Sequence, residues 1–430
     1  MNHSQAIAYL DAHVGAGIKP GLDRIRLLVE TMGSPHTGYP IIHVAGTNGK
    51  TSTTWLSALL LTAHGLNTGT YTSPHLEVIE ERLGINGRIA TEDELTQAVA
   101  DVAAFADILE SRGQAQFTYF ELTTAMAFAF FAEHAVEAAV LEVGLGGRLD
   151  ATNVVDADVA VLTGVGLDHM EYLGPTVEAI AVEKLAIAGP GSILVTGPLV
   201  PAVEELAQGV AADLGIEHRA FGRDFSVDAK RAVGGWRLDV HGAESSYPDV
   251  VIGVHGRHQA VNAAVSVAAV EALLGRALDP SAVVEACAAF TAPGRMEPVA
   301  SDPLVLIDGA HNADGFEVLE AALSEEFPTT RWVLVLGVMG DKDVEAMMGH
   351  VRDRIDAVVA TQIVSDRAVP AAELGRRIEE ATDLPIEVVT DPARAVERAR
   401  QLAGAEGAVL VTGSLYMIGQ VRSALAKANG

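Results

Sequence analysis

The feature that most constrains this chain is an alternation: short, nearly unbroken apolar runs, each followed by a longer stretch of helical period. Residues 138–143 (AAVLEV) and 158–162 (DVAVL) are two such runs. A strand with one wet face alternates apolar and polar residues, so an unbroken run implies burial on both faces. A mostly parallel sheet with helices on both sides supplies that burial. Between the runs, Thr91-Glu92-Asp93-Glu94 has the Ser/Thr-x-x-Glu form of a capping box and predicts a helix to about Arg112. Further helices are expected over 117–134, 176–188 and 258–274, and a strand over 192–196.

At 430 residues the chain exceeds one compact core. Residues 221–256 change character, with alternating side chains and glycine turns, and predict a small antiparallel patch. The segment TAPGRMEPVASDP (291–303) holds three prolines and few apolar residues, as a linker would. The alternation then restarts in LVLIDG, RWVLVLGV, AVVATQIV, IEVVT and AVLVTG. The expected fold class is α/β. A P-loop-type, mostly parallel sheet domain with a small antiparallel patch spans 1–292, a linker 293–303, and a smaller Rossmann-like α/β domain 304–430.

The formal charge of −28 argues against nucleic acid and anionic membranes as partners, since both are recognised through basic surfaces. An anionic small ligand remains open to local lysines, arginines and backbone NH groups. No run is long and apolar enough for a membrane helix, and the start, MNHSQAIAYLDAHVGAGIKP, reads as an amphipathic helix and loop instead of a signal peptide. Cys287 is the only cysteine, so a reducing cytoplasm is the expected location.

Residues 43–56 (HVAGTNGKTSTTWL) pass from an apolar run through Gly46, Asn48 and Gly49 into Lys50, Thr51, Ser52 and a helical stretch. A glycine-rich turn opening a helix offers unpaired NH donors to phosphate, and the lysine reaches the β/γ-phosphates. The first glycine of the standard Walker loop is replaced by Val44, so a plain turn is the alternative. Glu142 ends a buried run, where open α/β sheets gather ligands, and suits Mg²⁺; a simple ion pair with Arg148 is the other reading. His169 follows another such run, and Lys184 lies on a predicted helix; taken alone, each reads more readily as a structural residue, a satisfied histidine and a solvated helix lysine.

Read in order, HVAGTNGKTS, YTSPHL (71–76), TYFELTTAMAF (118–128), LEVGLGGRLDATN (141–153), LDH…EK (167–184), HGRHQAVNA (255–263), PGRMEP (293–298) and DGAHN (308–312) resemble the folylpolyglutamate synthase/dihydrofolate synthase family. These are Mur-ligase-like, ATP-dependent amide ligases that use GTNGK without the first Walker glycine. The resemblance runs from GLDRI (21–25) to GSLY (413–416), and it implies cofactors and roles. Asn48, Gly49, Lys50, Thr51 and Ser52 would bind ATP phosphates, with the metal-facing hydroxyl open between Thr51 and Ser52. Ser73 and Glu142 would hold one Mg²⁺, and Glu142 and His169 a second, supported by carbamylated Lys184. Asn262, Arg295 and Asp308 would contact ATP, and His311 would reach the phosphates and the incoming glutamate. Tyr119, Phe120, Glu121 and Leu122, with Asp150, Ala151 and Thr152, would bind the pterin; helix core and a turn cap are their structural alternatives.

The implied reaction activates a substrate carboxylate with ATP as an acyl phosphate, which the amine of L-glutamate then attacks. The acid is dihydropteroate, the γ-carboxylate of a folate glutamate tail, or both. The partners are therefore small molecules, and a monomer is expected. Two rivals remain. A peptidoglycan-precursor Mur ligase would need a further domain before the phosphate loop, and a P-loop ATPase would turn over ATP without glutamate.

Overall fold

The computed structural model describes residues 1–17, 19–365 and 367–429. Ile18, in the expected N-terminal loop, and Gly430, the last residue of the expected second domain, lie outside the described residues.

The larger sheet comprises β1 (Ile41–Ala45), β2 (Thr68–Tyr71), β3 (Leu83–Ile85), β4 (Arg88–Ile89), β5 (Ala138–Glu142), β6 (Val159–Leu162), β7 (Ile193–Thr196) and β8 (Glu217–Ala220). Their order is β4-β3-β2-β5-β1-β6-β7-β8, parallel from β2 to β8 and antiparallel at the β3 and β4 edge. The unbroken runs behave as their burial requirement dictates: every residue of β1, β5 and β6 is buried. One face is covered by the helices Lys50–Ala63 and His258–Leu274, the other by Glu92–Ser111 and Tyr119–Glu133. The capping box forms as expected, with Thr91 accepting from Glu94 N and Glu94 from Thr91 N.

The antiparallel patch is β9 (Ser226–Ala232), β10 (Gly235–His241) and β11 (Ser246–Ile252), a separate three-stranded sheet. Its buried Trp236, Leu238, Tyr247 and Val250 join the core under the His258–Leu274 helix.

The second lobe holds β12 (Glu297–Ser301), β13 (Leu304–Ile307), β14 (Trp332–Leu336), β15 (Ile355–Ala360), β16 (Ile386–Val388) and β17 (Ala408–Thr412), in the order β12-β13-β17-β14-β15-β16. Only β12 is antiparallel. The expected linker 293–303 is thus only partly one, because Glu297–Ser301 is an edge strand of this sheet. Proline is compatible with such an edge, since Pro298 can face outward without its missing NH breaking a ladder. The bulge between Pro298 and Ala300 is where the register gives way.

Candidate active site

Register brings the functional loops together. Val44 pairs with Glu142, Ala45 with Leu162 and Tyr71 with Leu141, so β1, β2, β5 and β6 end at one edge. In the second lobe Ile307 pairs with Val411 and Leu336 with Thr412. Both sheets aim these carboxyl ends into one cavity of about 880 Å³.

The loop after β1 is built for close approach. Gly49 (φ +84°) precedes the helix Lys50–Ala63, and a Cβ there would meet Asn262 Oδ1 at 2.7 Å. A Cβ on Gly46 (φ +156°) would lie 1.9 Å from Thr163 Oγ1. Thr163 Oγ1 donates to Asn48 O at 2.6 Å, fixing the turn. The helix opens with no side-chain cap, so its first NH groups remain for a ligand. Lys50 Nζ donates to Gly46 O and Thr47 O at 3.0 and 3.1 Å.

Glu142 is 1% exposed. Its Oε1 accepts from Thr51 Oγ1 at 2.9 Å and its Oε2 from Ser73 N at 3.2 Å. Arg148 binds Glu183 instead, which rules out the Glu142–Arg148 pair. Burial pushes the Glu142 carboxyl up, opposed by the charge of Lys50 and the two hydrogen bonds. Burial likewise pushes Lys50 down, opposed by Glu142 and Asp168. Ser73 lines the cavity with its buried Oγ unpartnered. An orphaned hydroxyl beside a desolvated carboxylate fits a hard, oxygen-seeking cation.

Lys184 Nζ donates to Gly46 O at 2.8 Å. Burial, then the nearby charge of Lys50, lowers its pKa to about 7. His169 sits at φ +50°. Its ring belongs with Asp168 and Asp341, the one group of three such side chains among the described residues whose ligand atoms lie within 4.8 Å of one another. Glu142 stands outside that cluster, its carboxylate accepting from Thr51 Oγ1 and Ser73 N. Burial also lowers His169, opposed by the charge of Asp168.

From the second lobe, Asp308 accepts from Met296 N and Ala310 N, both at 2.8 Å. It therefore braces the connection between lobes as well as lining the cavity. His311 Nδ1 lies 2.7 Å from Gly309 O, and Arg295 Nη1 donates to Gly294 O at 3.2 Å.

The expected pterin residues divide. Phe120 lines the cavity, its ring close enough to Gly144 that a Cβ there would meet Cζ at 2.4 Å. Glu121 lines it too, but caps its helix through Thr118 and pairs with Arg24 at 2.9 Å. Asp150 accepts from Leu145 N at 2.8 Å and Thr152 N at 3.0 Å, and Ala151 lies beside it in the wall. Three assignments need correcting. Leu122 is fully buried in the helix core. Thr152 is fully buried off the cavity, bonded to His43 at 2.8 Å. Tyr119 does not line the cavity and lies under Arg82.

Sequence reasoning missed Asp168, Lys342 and Arg82, all in the wall. Asp168 stands within the LDH string. Lys342, in a GDKD turn beyond β14, could have been found only from its place after a strand's carboxyl end. Cys287 is buried, which pushes its thiol up to about 12 and leaves it inert.

Residues 44–270 match the Mur ligase middle domain, and residues 294–415 the Mur ligase glutamate ligase domain. The dihydrofolate synthase/folylpolyglutamate synthase of Mycobacterium tuberculosis is 38% identical, over 94% of this chain and 90% of the relative. The structure superposes on Mycobacterium tuberculosis folylpolyglutamate synthase complexed with ADP with a TM-score of 0.94, at 36% identity and 98% coverage of both chains. On E. coli FolC in complex with DHPP and ADP the TM-score is 0.88, at 29% identity, covering 100% of this chain and 99% of the other.

Proposed function

Because the chain belongs to the folylpolyglutamate synthase/dihydrofolate synthase family of Mur ligases, and is an ATP-dependent ligase, we propose that it adds L-glutamate both to dihydropteroate and to the γ-carboxylate of folate glutamate tails. One observation carries this reading: Lys50, Glu142 and Lys184 of the larger lobe and Asp308 and His311 of the smaller one line a single cavity. A site shared between lobes can hold nucleotide and acid together and exclude water by closing.

A carboxylate oxygen of the acid attacks the γ-phosphorus, and the bond to the ADP oxygen breaks, leaving an acyl phosphate. The glutamate amine then attacks the acyl carbon, loses a proton, and phosphate departs with the electron pair of the C–O bond. Lys50 and the amides of the 46–52 loop offset charge on the phosphoryl group. Ser73 and Glu142 would hold one Mg²⁺, and Glu142, His169 and carbamylated Lys184 a second. When bound, these ions supply further charge neutralisation at the transferring group. Phe120, Asp150 and Ala151 form the wall for the flat heterocycle. The buried lone cysteine suits a reducing cytoplasm, and a monomer suffices because both lobes come from one chain.

The test offers purified protein dihydropteroate and tetrahydrofolate separately, with ATP and glutamate, and measures ADP. ADP should form only when glutamate and one of the acids are both present. Equal ADP release without glutamate would return the chain to the P-loop ATPase reading.

A further inference from the structure

Arg82 closes the short turn Ile79–Arg82 and immediately precedes β3. Its carbonyl accepts from Thr72 N at 3.0 Å, which sets it beside Ser73. The residue is 6% exposed, yet it lines the cavity with Ser73 and Phe120. Arg82 Nε donates to His75 Nδ1 at 3.0 Å, and the guanidinium lies over the Tyr119 ring, 5.4 Å from its centroid. Neither neighbour is an anion. Among the described residues no carboxylate oxygen comes within 4.0 Å of Arg82, although the chain carries 57 Asp and Glu. Its Nη1 is buried without any hydrogen-bond partner.

Burying a guanidinium is costly unless an opposite charge accompanies it, and stacking on an aromatic ring offsets only part of that cost. Its neighbours hold the fork: His75 takes one edge, Tyr119 one face, and the turn fixes the backbone it springs from. A planar donor pre-ordered in this way suits a carboxylate, which it can engage through two parallel N–H bonds.

We propose that Arg82 receives a carboxylate of the folate acid, and that Tyr119 serves the site by stacking on Arg82 instead of on the heterocycle. The inference rests on the reading that this cavity takes a folate acid. Two carboxylates share the chemistry. Dihydropteroate has only the benzoate that reacts, whereas tetrahydrofolate has the α- and γ-carboxylates of its glutamate.

The experiment compares full-length wild type with Arg82→Gln in steady-state kinetics on each acid, and in the thermal shift each acid confers. Loss of a charged hydrogen bond should raise KM for the acid about 10- to 100-fold while KM for ATP stays unchanged. A rise with both acids, or with dihydropteroate alone, assigns the reacting carboxylate; a rise with tetrahydrofolate alone assigns the α-carboxylate. Wild type that turns over beside an R82Q variant with unchanged KM for both acids overturns the inference and leaves the functional reading intact. If neither acid stabilises the wild type, the functional reading fails and Arg82 falls with it. Should R82Q not fold, wild type decides. Acids that bind no tighter than their carboxamides overturn the proposal, and a gap of about tenfold supports it.

Discussion

Lys342 Nζ, on the smaller lobe, donates to Asp168 Oδ1 of the larger lobe at 2.6 Å, and both side chains are almost buried. The other carboxylate oxygen accepts from Asn312 Nδ2 at 3.1 Å and faces His311 Nε2 at 3.4 Å. Burial alone would raise the Asp168 carboxyl. The hydrogen bond from His311 and the charges of His169, His311 and Lys342 outweigh it and hold the group well below the usual carboxylate range. Asp168 is therefore an ionised hub on which the second lobe closes. A further inter-lobe contact lies at the C-terminal helix, where Ser423 Oγ donates to Glu77 Oε2 at 2.6 Å and Arg422 pairs with Glu77.

Replacing Lys342 by Met should loosen that closure. Breaking one side of a nearly buried pair leaves an uncompensated charge and costs about 3 kcal/mol. The lobes are expected to open, seen as a larger radius of gyration in solution scattering with unchanged circular dichroism. A double-mutant cycle with Asp168→Asn should give a coupling above about 1 kcal/mol. Strictly additive losses would show that the two side chains do not act on each other.

Glu142→Gln separates stability from activity. The carboxylate is desolvated, and its burial works against the charged form, so the neutral isostere should leave the melting temperature equal or higher. Glutamate-dependent ADP release should fall at least about 100-fold, as it should in Lys50→Ala. A Glu142→Gln enzyme with near-normal turnover would remove this carboxylate from the mechanism.

The proposed carbamylation of Lys184 predicts a dependence of activity on pH and carbon dioxide. Only the neutral amine reacts to form a carbamate, and its lowered pKa of about 7 makes that form available near neutrality. Raising pH through 7 empties the proton from Nζ. Activity of protein stripped of carbon dioxide should then be restored by bicarbonate more fully at pH 8 than at pH 6. Lys184→Arg, whose guanidinium stays protonated, should show no bicarbonate response. An equal response in that variant would place the effect elsewhere.

Much of this was legible in the sequence because burial on two faces writes itself as an unbroken apolar run. That signal carried β1, β5 and β6, and β13, β14, β15 and β17 of the second lobe, but not β12, whose edge position leaves it only partly buried. It failed at β2, whose residues are Thr68, Gly69, Thr70 and Tyr71. Gly69 is there because the Phe131 ring packs on the backbone, where a Cβ would meet Cδ1 at 2.6 Å. Close packing thus erased the apolar pattern that would have announced the strand. Phosphate-loop residues were readable because their spacing is local. Arg82 and Lys342 were not, since each gains its role from a partner reached through the fold. Leu122 and Thr152 share a segment with wall residues, and which face of a short helix meets the cavity is a tertiary fact.

His43 gives a test of the β1 core that is independent of catalysis. The side chain is fully buried, bonded to Thr152 Oγ1 at 2.8 Å, and its other ring nitrogen has no partner. Burial lowers its pKa from 6.5 to about 3. Between those values the unfolded chain binds a proton that the folded protein refuses, so stability present above pH 6.5 is lost as pH falls toward 3. At about 1.4 kcal/mol per unit, wild type should lose about 2 kcal/mol relative to His43→Gln between pH 7.5 and pH 5. Denaturation midpoints of the two proteins, followed across that range, should converge or cross on acidification. Parallel curves would mean that the ring accepts a proton inside the fold, which a dry β1 does not permit.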